Sequence, residues 1–569
     1  MEFTQDYSPI GNVYVSLIFA AIPIVVLFVM LGALRIAAHW AAAASLLSAL
    51  LLAILFYGMP TVLALSATTF GAVFGLWQLA WIVVNAIFLH NLTVETGKFD
   101  VVRDSLASLT TDRRIQALII AFSFGALLEG VAGAGAPVAI TAAIMVGLGF
   151  APLFAASLAL LANTAPVAFG ALGLPILALG PLVAPIVGAD PEITTNTLAA
   201  MVGRQVPIFA VIIPGFMVFV MAGWRGMMEV LPAVLTAGIS FAVVQFLVSN
   251  FIGPNLVDVL AALVSLAALY LLLRIWQPAT PWRFEGEVES GASPTAAETP
   301  SPAHGSGSVL LAFSPYMIVV VVVIVALIGT IFPNIPAALN VTELLGKASI
   351  TFPWPGLNEQ VIRVPPITTE PSPYPAEFEF TPFLVSGTLV LIAAITSGFV
   401  LGVGPAAQLR IYGRTLNQVK LAVLVIALIL ALAFVMNYSG ATSTLGLAFA
   451  GTGLLFPFFS AFIGWLGVFL TGSDTSSNSL FGPMQTITAQ QLHIEPALAG
   501  ATNSSGGVMG KMISPQNLAV GAAAIGQAGQ EGNIFRMTLK WSLILTTAVG
   551  VLAMIQAYVI PWIIPTIGG

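Results

Sequence analysis

Four charged side chains stand inside stretches of this chain that are otherwise almost wholly apolar: Glu129, Arg204, Asp474 and Lys511. Charges in such surroundings are costly, and they mark ion paths, proton relays or ligand counter-ions. Three of them lie in or beside short polar runs. The runs are Gly133-Ala134-Gly135-Ala136-Pro137, Asn163-Thr164-Ala165-Pro166, Gly472-Ser473-Asp474-Thr475-Ser476-Ser477-Asn478 and Asn503-Ser504-Ser505-Gly506-Gly507. They fall into two pairs. From Asn163 to Asn503 is 340 residues, and the same step carries Gly133 to Ser473. Interruptions in corresponding places of two halves point to the binding site of a transporter. Breaking a helix frees amide N–H groups at the start of the next half-helix, where the macrodipole adds positive charge. A small carboxylate is the natural guest there.

The neutral donors available to such a guest are Asn163, Thr164, Ser477, Asn478, Asn503, Ser504 and Ser505, with backbone at Gly135 and Ala136. The same residue types also cap helix ends, so a local structural role is the competing reading. Lys511 could meet the carboxylate as a mobile point charge. Glu129 suits proton transfer. Holding it charged at the bilayer centre costs roughly 3 kcal/mol. Protonating an ordinary glutamic acid at pH 7 costs about 4 kcal/mol. The two costs are close, so a modest change of surroundings decides its state. The competing reading is a permanent ion pair with Lys511, or a hydrogen bond to hairpin backbone. Asp474 could be stabilised by Ser473, Thr475 and Ser476, pair with Lys511, or coordinate a cation with backbone carbonyls. Arg204 could tie helices together or snorkel outward. His90 and His493, near span ends, read as incidental.

These residues must be positioned by membrane helices. The chain has 569 residues, 58% hydrophobic and 7% charged, against about 25% charge in soluble domains. Its apolar runs, about 12–14 in number, include several near the length that crosses a bilayer. The fold expected is an all-α polytopic membrane protein: an inverted-repeat secondary transporter with two re-entrant hairpins and broken helices. The acidic start lacks a basic signal-peptide region, so the first apolar run is expected to stay as a membrane helix. There is no cysteine, which excludes disulfides and Cys-ligated metal. The net charge of −6 carries no basic stripe for nucleic acid. No Walker A loop or metal-ligand spacing is present, so neither enzymatic activity nor a cofactor is expected.

Placing the Lys/Arg clusters in the cytoplasm puts the N-terminus outside. In that trace the first hairpin enters from the cytoplasm and the second from the outside. The expected layout has N-terminal scaffold helices over 1–60 and a first repeat over 61–229, with a hairpin near 133–137 and a broken helix near 163–170. Scaffold helices over 230–339 include a cytoplasmic linker at 277–308, rich in Pro, Ser, Ala, Gly and Glu. An exterior loop follows at 340–380. The second repeat, 381–569, has a hairpin near 472–478 and a broken helix near 503–510.

The motifs resemble those of the L-lactate permease family. They include Leu128-Glu129-Gly130, Gly135-Ala136-Pro137-Val138-Ala139-Ile140, and Ala162-Asn163-Thr164-Ala165-Pro166-Val167-Ala168-Phe169-Gly170. In the second half they include Leu470-Thr471-Gly472-Ser473-Asp474-Thr475-Ser476-Ser477-Asn478 and Gly506-Gly507-Val508-Met509-Gly510-Lys511-Met512-Ile513-Ser514-Pro515-Gln516. The resemblance implies proton-coupled uptake of L-lactate, and of glycolate or other 2-hydroxy monocarboxylates, across a bacterial inner membrane. It also implies a scaffold, a moving transport domain and assembly as a homodimer. One departure is Ala134, where the family usually has Phe, which opens room at the hairpin tip. On this reading Glu129 or Asp474 carries the proton and Lys511 balances charge. The alternatives are sodium-driven uptake of a di- or tricarboxylate, and a passive anion channel.

Overall fold

The computed structural model describes residues 2–34, 36–131, 133, 135–284, 305–331, 335–336, 339–527 and 529–567. Among them, twelve helices are long and apolar enough to cross a membrane. The apolar runs become helices because a chain in hydrocarbon has to satisfy its backbone N–H and C=O groups within itself. The chain is an all-α polytopic membrane protein; its described strands form two small sheets.

Those strands correct one expectation. Residues 340–380, read as a long exterior loop, hold most of them. Ile350–Pro353 pairs antiparallel with Glu377–Phe380, and Val361 and Ile362 pair in parallel with Phe3 and Thr4 of the N-terminal tail. The loop is anchored on helices below. Trp354 stacks on Phe70 with ring centroids 5.1 Å apart, Tyr438 donates to the Pro375 carbonyl at 2.6 Å, and Arg363 donates to the Pro185 carbonyl. Of the linker expected at 277–308, residues 285–304 lie outside the described residues, and its last residues already belong to the helix Ser306–Ala326.

Two halves repeat one element order. The spans Thr61–Glu95 and Pro405–Ser439 are each 35 residues long and start 344 residues apart. The 3-10 turns Val167–Phe169 and Lys511–Ile513 are separated by the same 344. So are Gly149 and His493, both left-handed. The hairpin-tip caps Gly135 and Ser473 are 338 apart. The difference of six equals the difference in length between Ala136–Gly147, 12 residues, and Asp474–Gln491, 18 residues. The 340-residue step read from the sequence falls between these offsets because it aligned two asparagines in different structural places.

The equivalent spans run in opposite directions. A Cβ on Gly71 would meet the Leu430 carbonyl at 2.6 Å, so the two backbones touch there. Further along, the Phe88 ring packs edge-on against Tyr412, and Asn91 donates to Thr415 at 2.9 Å. Numbers rise on one span as they fall on the other. Small residues at such crossings let membrane helices approach closely.

Each half is interrupted twice. The first hairpin turns between Gly125–Val131 and Ala136–Gly147. Gly133 and Gly135 sit there at φ 57° and 81°, angles that glycine adopts without steric cost. Ala134 lies outside the described residues. The first broken helix stops at Ala162 and resumes through Gly170–Val187. Between them runs a tight turn, Val167–Phe169, and the second segment itself opens on three left-handed residues, Ala171, Leu172 and Gly173.

The second half departs from the expected boundaries. Only Gly472 and Ser473 leave the helix at the second hairpin, and the chain is helical again from Asp474. The stretch 503–510 is not broken: it lies within the continuous helix Pro496–Gly510. Asn503 and Ser504 there have tertiary partners, and the glycines serve packing, with Gly506 against Ala461 and Gly510 against Trp465. The break comes at Lys511–Ile513 and Ser514, whose ψ is 136°. Pro515 follows, and a residue before proline is pushed out of the helical region.

Candidate functional site

Glu129 occupies the last turn of Gly125–Val131. It accepts hydrogen bonds from Lys511 Nζ at 2.6 Å and from Asn163 Nδ2 at 2.9 Å. Glu129 is 3% exposed and Lys511 5%, so the pair is shielded from water. Its members are 382 residues apart and belong to opposite repeats. A Cβ on Gly170 would come within 2.7 Å of Glu129 Oε1. The carboxylate therefore rests at the start of Gly170–Val187, against Lys511 and Asn163.

Asp474 opens the helix Asp474–Gln491. Its Oδ2 accepts from Ser504 at 2.6 Å and from Asn478 at 3.4 Å. The partners expected from the sequence, Ser473, Thr475 and Ser476, do not bond its side chain, and Lys511 is paired with Glu129 instead. The reason is helical geometry: Asn478 lies one turn along, while the adjacent residues face elsewhere. Ser473 caps its own helix by accepting from the Ser476 amide at 3.3 Å.

The other expected binding residues divide by surroundings. Asn478 donates to the Pro175 carbonyl at 3.1 Å, linking the second hairpin to the helix beyond the first break. Asn503 donates to Asn478 at 2.8 Å and accepts from Gln485 at 2.6 Å. Ser477 donates to the Gly464 carbonyl at 3.2 Å, inside a helix–helix contact. Thr164 donates to Leu161 in its own turn. Asn163 Oδ1, Asp474 Oδ1 and Ser505 Oγ are buried without a hydrogen-bond partner among the described residues. At Ala136 only the backbone is described.

The two hairpin tips meet through Asn517, just past the second break. Its Nδ2 donates to the Gly472 carbonyl at 3.4 Å, and its Oδ1 lies 3.1 Å from where a Cβ on Gly135 would be. Both tips and both breaks thus surround one ion pair.

Residues 16–560 match the family model for L-lactate permease. The chain belongs to the L-lactate permease family. It is 47% identical to the glycolate permease GlcA of Escherichia coli (strain K12), over 98% of this chain and 99% of that protein. It is 46% identical to the L-lactate permease of the same strain, over 99% of each chain. To the L-lactate permease of Bacillus subtilis (strain 168) it is 44% identical, over 99% of this chain and 100% of that protein.

This member of the permease family holds a third buried acid near the pair. Asp258, at the start of Val257–Ile275, is 1% exposed. Gln245 Nε2 donates to Asp258 Oδ1 at 3.3 Å and to the Ala165 carbonyl at 3.2 Å. The sequence reading absorbed Asp258 into an apolar run, although an acid inside a span is itself a signal. Gln245, Gln485 and Asn517 are uncharged and stand outside the polar runs, so nothing in the sequence set them apart. Arg204 ties helices together, donating to Asn250 at 3.0 Å and to the Ile563 carbonyl.

Proposed function

We propose that this permease takes up L-lactate and related 2-hydroxy monocarboxylates across the bacterial plasma (inner) membrane by proton symport. The observation that carries the reading is the buried Glu129–Lys511 pair, lying where both tips and both breaks converge. It is a carboxylate already bound by the groups a substrate carboxylate would need. An incoming lactate replaces Glu129 at Lys511 and the start of Gly170–Val187. Its hydroxyl donates to the unpartnered Asn163 Oδ1. Gly135, Ala136, Thr164 and Ser505 line the approach, while Ser477, Asn478, Asn503 and Ser504 hold the second hairpin and Asp474 in shape.

The displaced Glu129 then stands buried without its cation. An unpaired buried charge costs several kcal/mol, and such a group neutralises instead. Glu129 therefore takes a proton when the substrate anion enters. Coupling follows from competition for one amine, and because the pair bridges the repeats, its exchange bears on alternating access between them. Asp474, with Oδ1 unpartnered, is the second candidate carrier. The named relatives support the substrate class, since glycolate and L-lactate are both small 2-hydroxy acids.

The N-terminus lies outside in this reading. The tail pairs with the 340–380 loop, and the Lys/Arg-poor tail favours the exterior. The test is uptake of labelled lactate by proteoliposomes, with and without an inward proton gradient. Gradient-driven accumulation is expected, unchanged when choline replaces sodium. Equal uptake with and without the gradient would remove proton coupling, and failure to accumulate above equilibrium would leave a passive channel.

A further inference from the structure

Asp258 has a place in the fold that neither the ion pair nor the hairpins explain. Its Oδ2 is buried without a hydrogen-bond partner among the described residues, and so is Gln245 Oε1. Among the described residues no ion pair neutralises it, and Gln245 is the one hydrogen-bond donor that reaches it, at 3.3 Å. It packs directly against the residue beside Glu129: a Cβ on Gly130 would lie 3.0 Å from Asp258 Cβ and 3.0 Å from the Val259 amide. The absence of a side chain at Gly130 is what lets Val257–Ile275 come this close. Gly130 is bonded in sequence to Glu129, whose carboxylate accepts from the Lys511 amine at 2.6 Å. Both acids also hold the same short turn. Glu129 accepts from Asn163, while Gln245, itself bonded to Asp258, donates to the Ala165 carbonyl.

Among the described residues, three buried acids, Glu129, Asp258 and Asp474, thus accompany one buried amine, Lys511, in this region. A carboxylate with one long hydrogen bond and no cation of its own is a poor resident of such a site unless it holds a proton. We propose that Asp258 is a proton relay for the transport cycle, storing a proton in the substrate-free state and passing it to Glu129 when substrate displaces Glu129 from Lys511. The Asp258 O–H bond breaks as the Glu129 O–H bond forms, and Asp258 regains a proton from water on the side from which protons enter. The overall uptake is one proton per substrate. Asp258 alters the speed of that uptake, and Glu129 its equilibrium.

This inference rests on the lactate:proton reading, and the experiment separates the two. Reconstituted Asp258→Asn is compared with wild type in three measurements: gradient-driven lactate uptake, lactate exchange between loaded compartments, and protons taken up per lactate bound at equilibrium. Uptake is expected to fall about 100-fold or more, the scale of losing a positioned proton donor. Exchange is expected to slow as well, since every lactate that binds displaces Glu129 anew, whereas the protons taken up per lactate at equilibrium are expected to match wild type. Should Asp258→Asn not fold, Gly130→Ala serves instead: it pushes Asp258 back by a few tenths of an ångström with every titratable group retained, and a smaller loss with the same split is expected. Uptake at the wild-type rate would overturn the relay. Loss of lactate binding at equilibrium, or fewer protons taken up per lactate, in folded protein would also overturn it, by making Asp258 a structural or substrate-holding group. A wild-type protein that binds lactate without taking up protons would instead overturn the reading on which the relay rests.

Discussion

Replacing Glu129 by Gln removes one charge from the buried pair and leaves Lys511 facing an amide. At 2.6 Å the attraction removed is about 6 kcal/mol for an effective dielectric near 20. Part of this only offsets the cost of burying both ions. The net loss when one member of a buried pair is deleted is about 3–5 kcal/mol, because the survivor stays unpaired. Glu129→Gln should therefore unfold at a clearly lower temperature than wild type, followed by tryptophan fluorescence of the detergent-solubilised protein. Adding Lys511→Met should recover most of the loss, since no buried charge then remains. Lactate supplies a second readout. A ligand at about 100 times its dissociation constant stabilises by about 2.7 kcal/mol. In Glu129→Gln the amine has no competing carboxylate, so a given lactate concentration should raise the unfolding temperature more than in wild type. In the double variant lactate should have almost no effect. Glu129→Gln with wild-type stability and no larger response to lactate would refute competition for Lys511.

Two other substitutions test the geometry of the interruptions. Ala171 is left-handed at φ 45°, a conformation that costs a non-glycine residue about 1–2 kcal/mol; Ala171→Gly should raise thermal stability by about 1 kcal/mol net of the entropy glycine adds to the unfolded chain, and a lowered unfolding temperature would contradict it. Gly507→Ala would set a Cβ 2.5 Å from Asp474 Oδ1 and 2.8 Å from Val468 Cγ2; overpacking of this kind costs about 1–3 kcal/mol, and uptake should fall with stability, whereas a neutral variant would show that the helix Pro496–Gly510 is free to move away.

The membrane architecture was legible because hydropathy sets it and the apolar runs are long. The convergence of two interruptions from each half was legible too, because polar runs in hydrocarbon need a reason. The location of the second break was not. Asn503, Ser504 and the glycines after them look like helix breakers in one dimension, yet Asn478, Gln485 and Asp474 satisfy the polar side chains across space. The real signal, Ser514 before Pro515, is a local backbone restriction that the polar run overshadowed. Choosing partners for the charges met the same limit. Glu129 and Lys511 each stood out as candidate charges, and their pairing was one of two arrangements left open. Asp258 was hidden by its neighbours, since a single acid barely changes the hydropathy of the run around it.

The competition between substrate and Glu129 is tested most directly by calorimetry of lactate binding in buffers of different ionisation enthalpy, which counts protons taken up per lactate bound. Wild type should take up about one proton per lactate, because the displaced carboxylate neutralises as its cation is taken. Glu129→Gln should bind lactate and take up almost none. Binding by wild type with no proton uptake, or undiminished uptake by Glu129→Gln, would contradict the exchange of one carboxylate for another at Lys511.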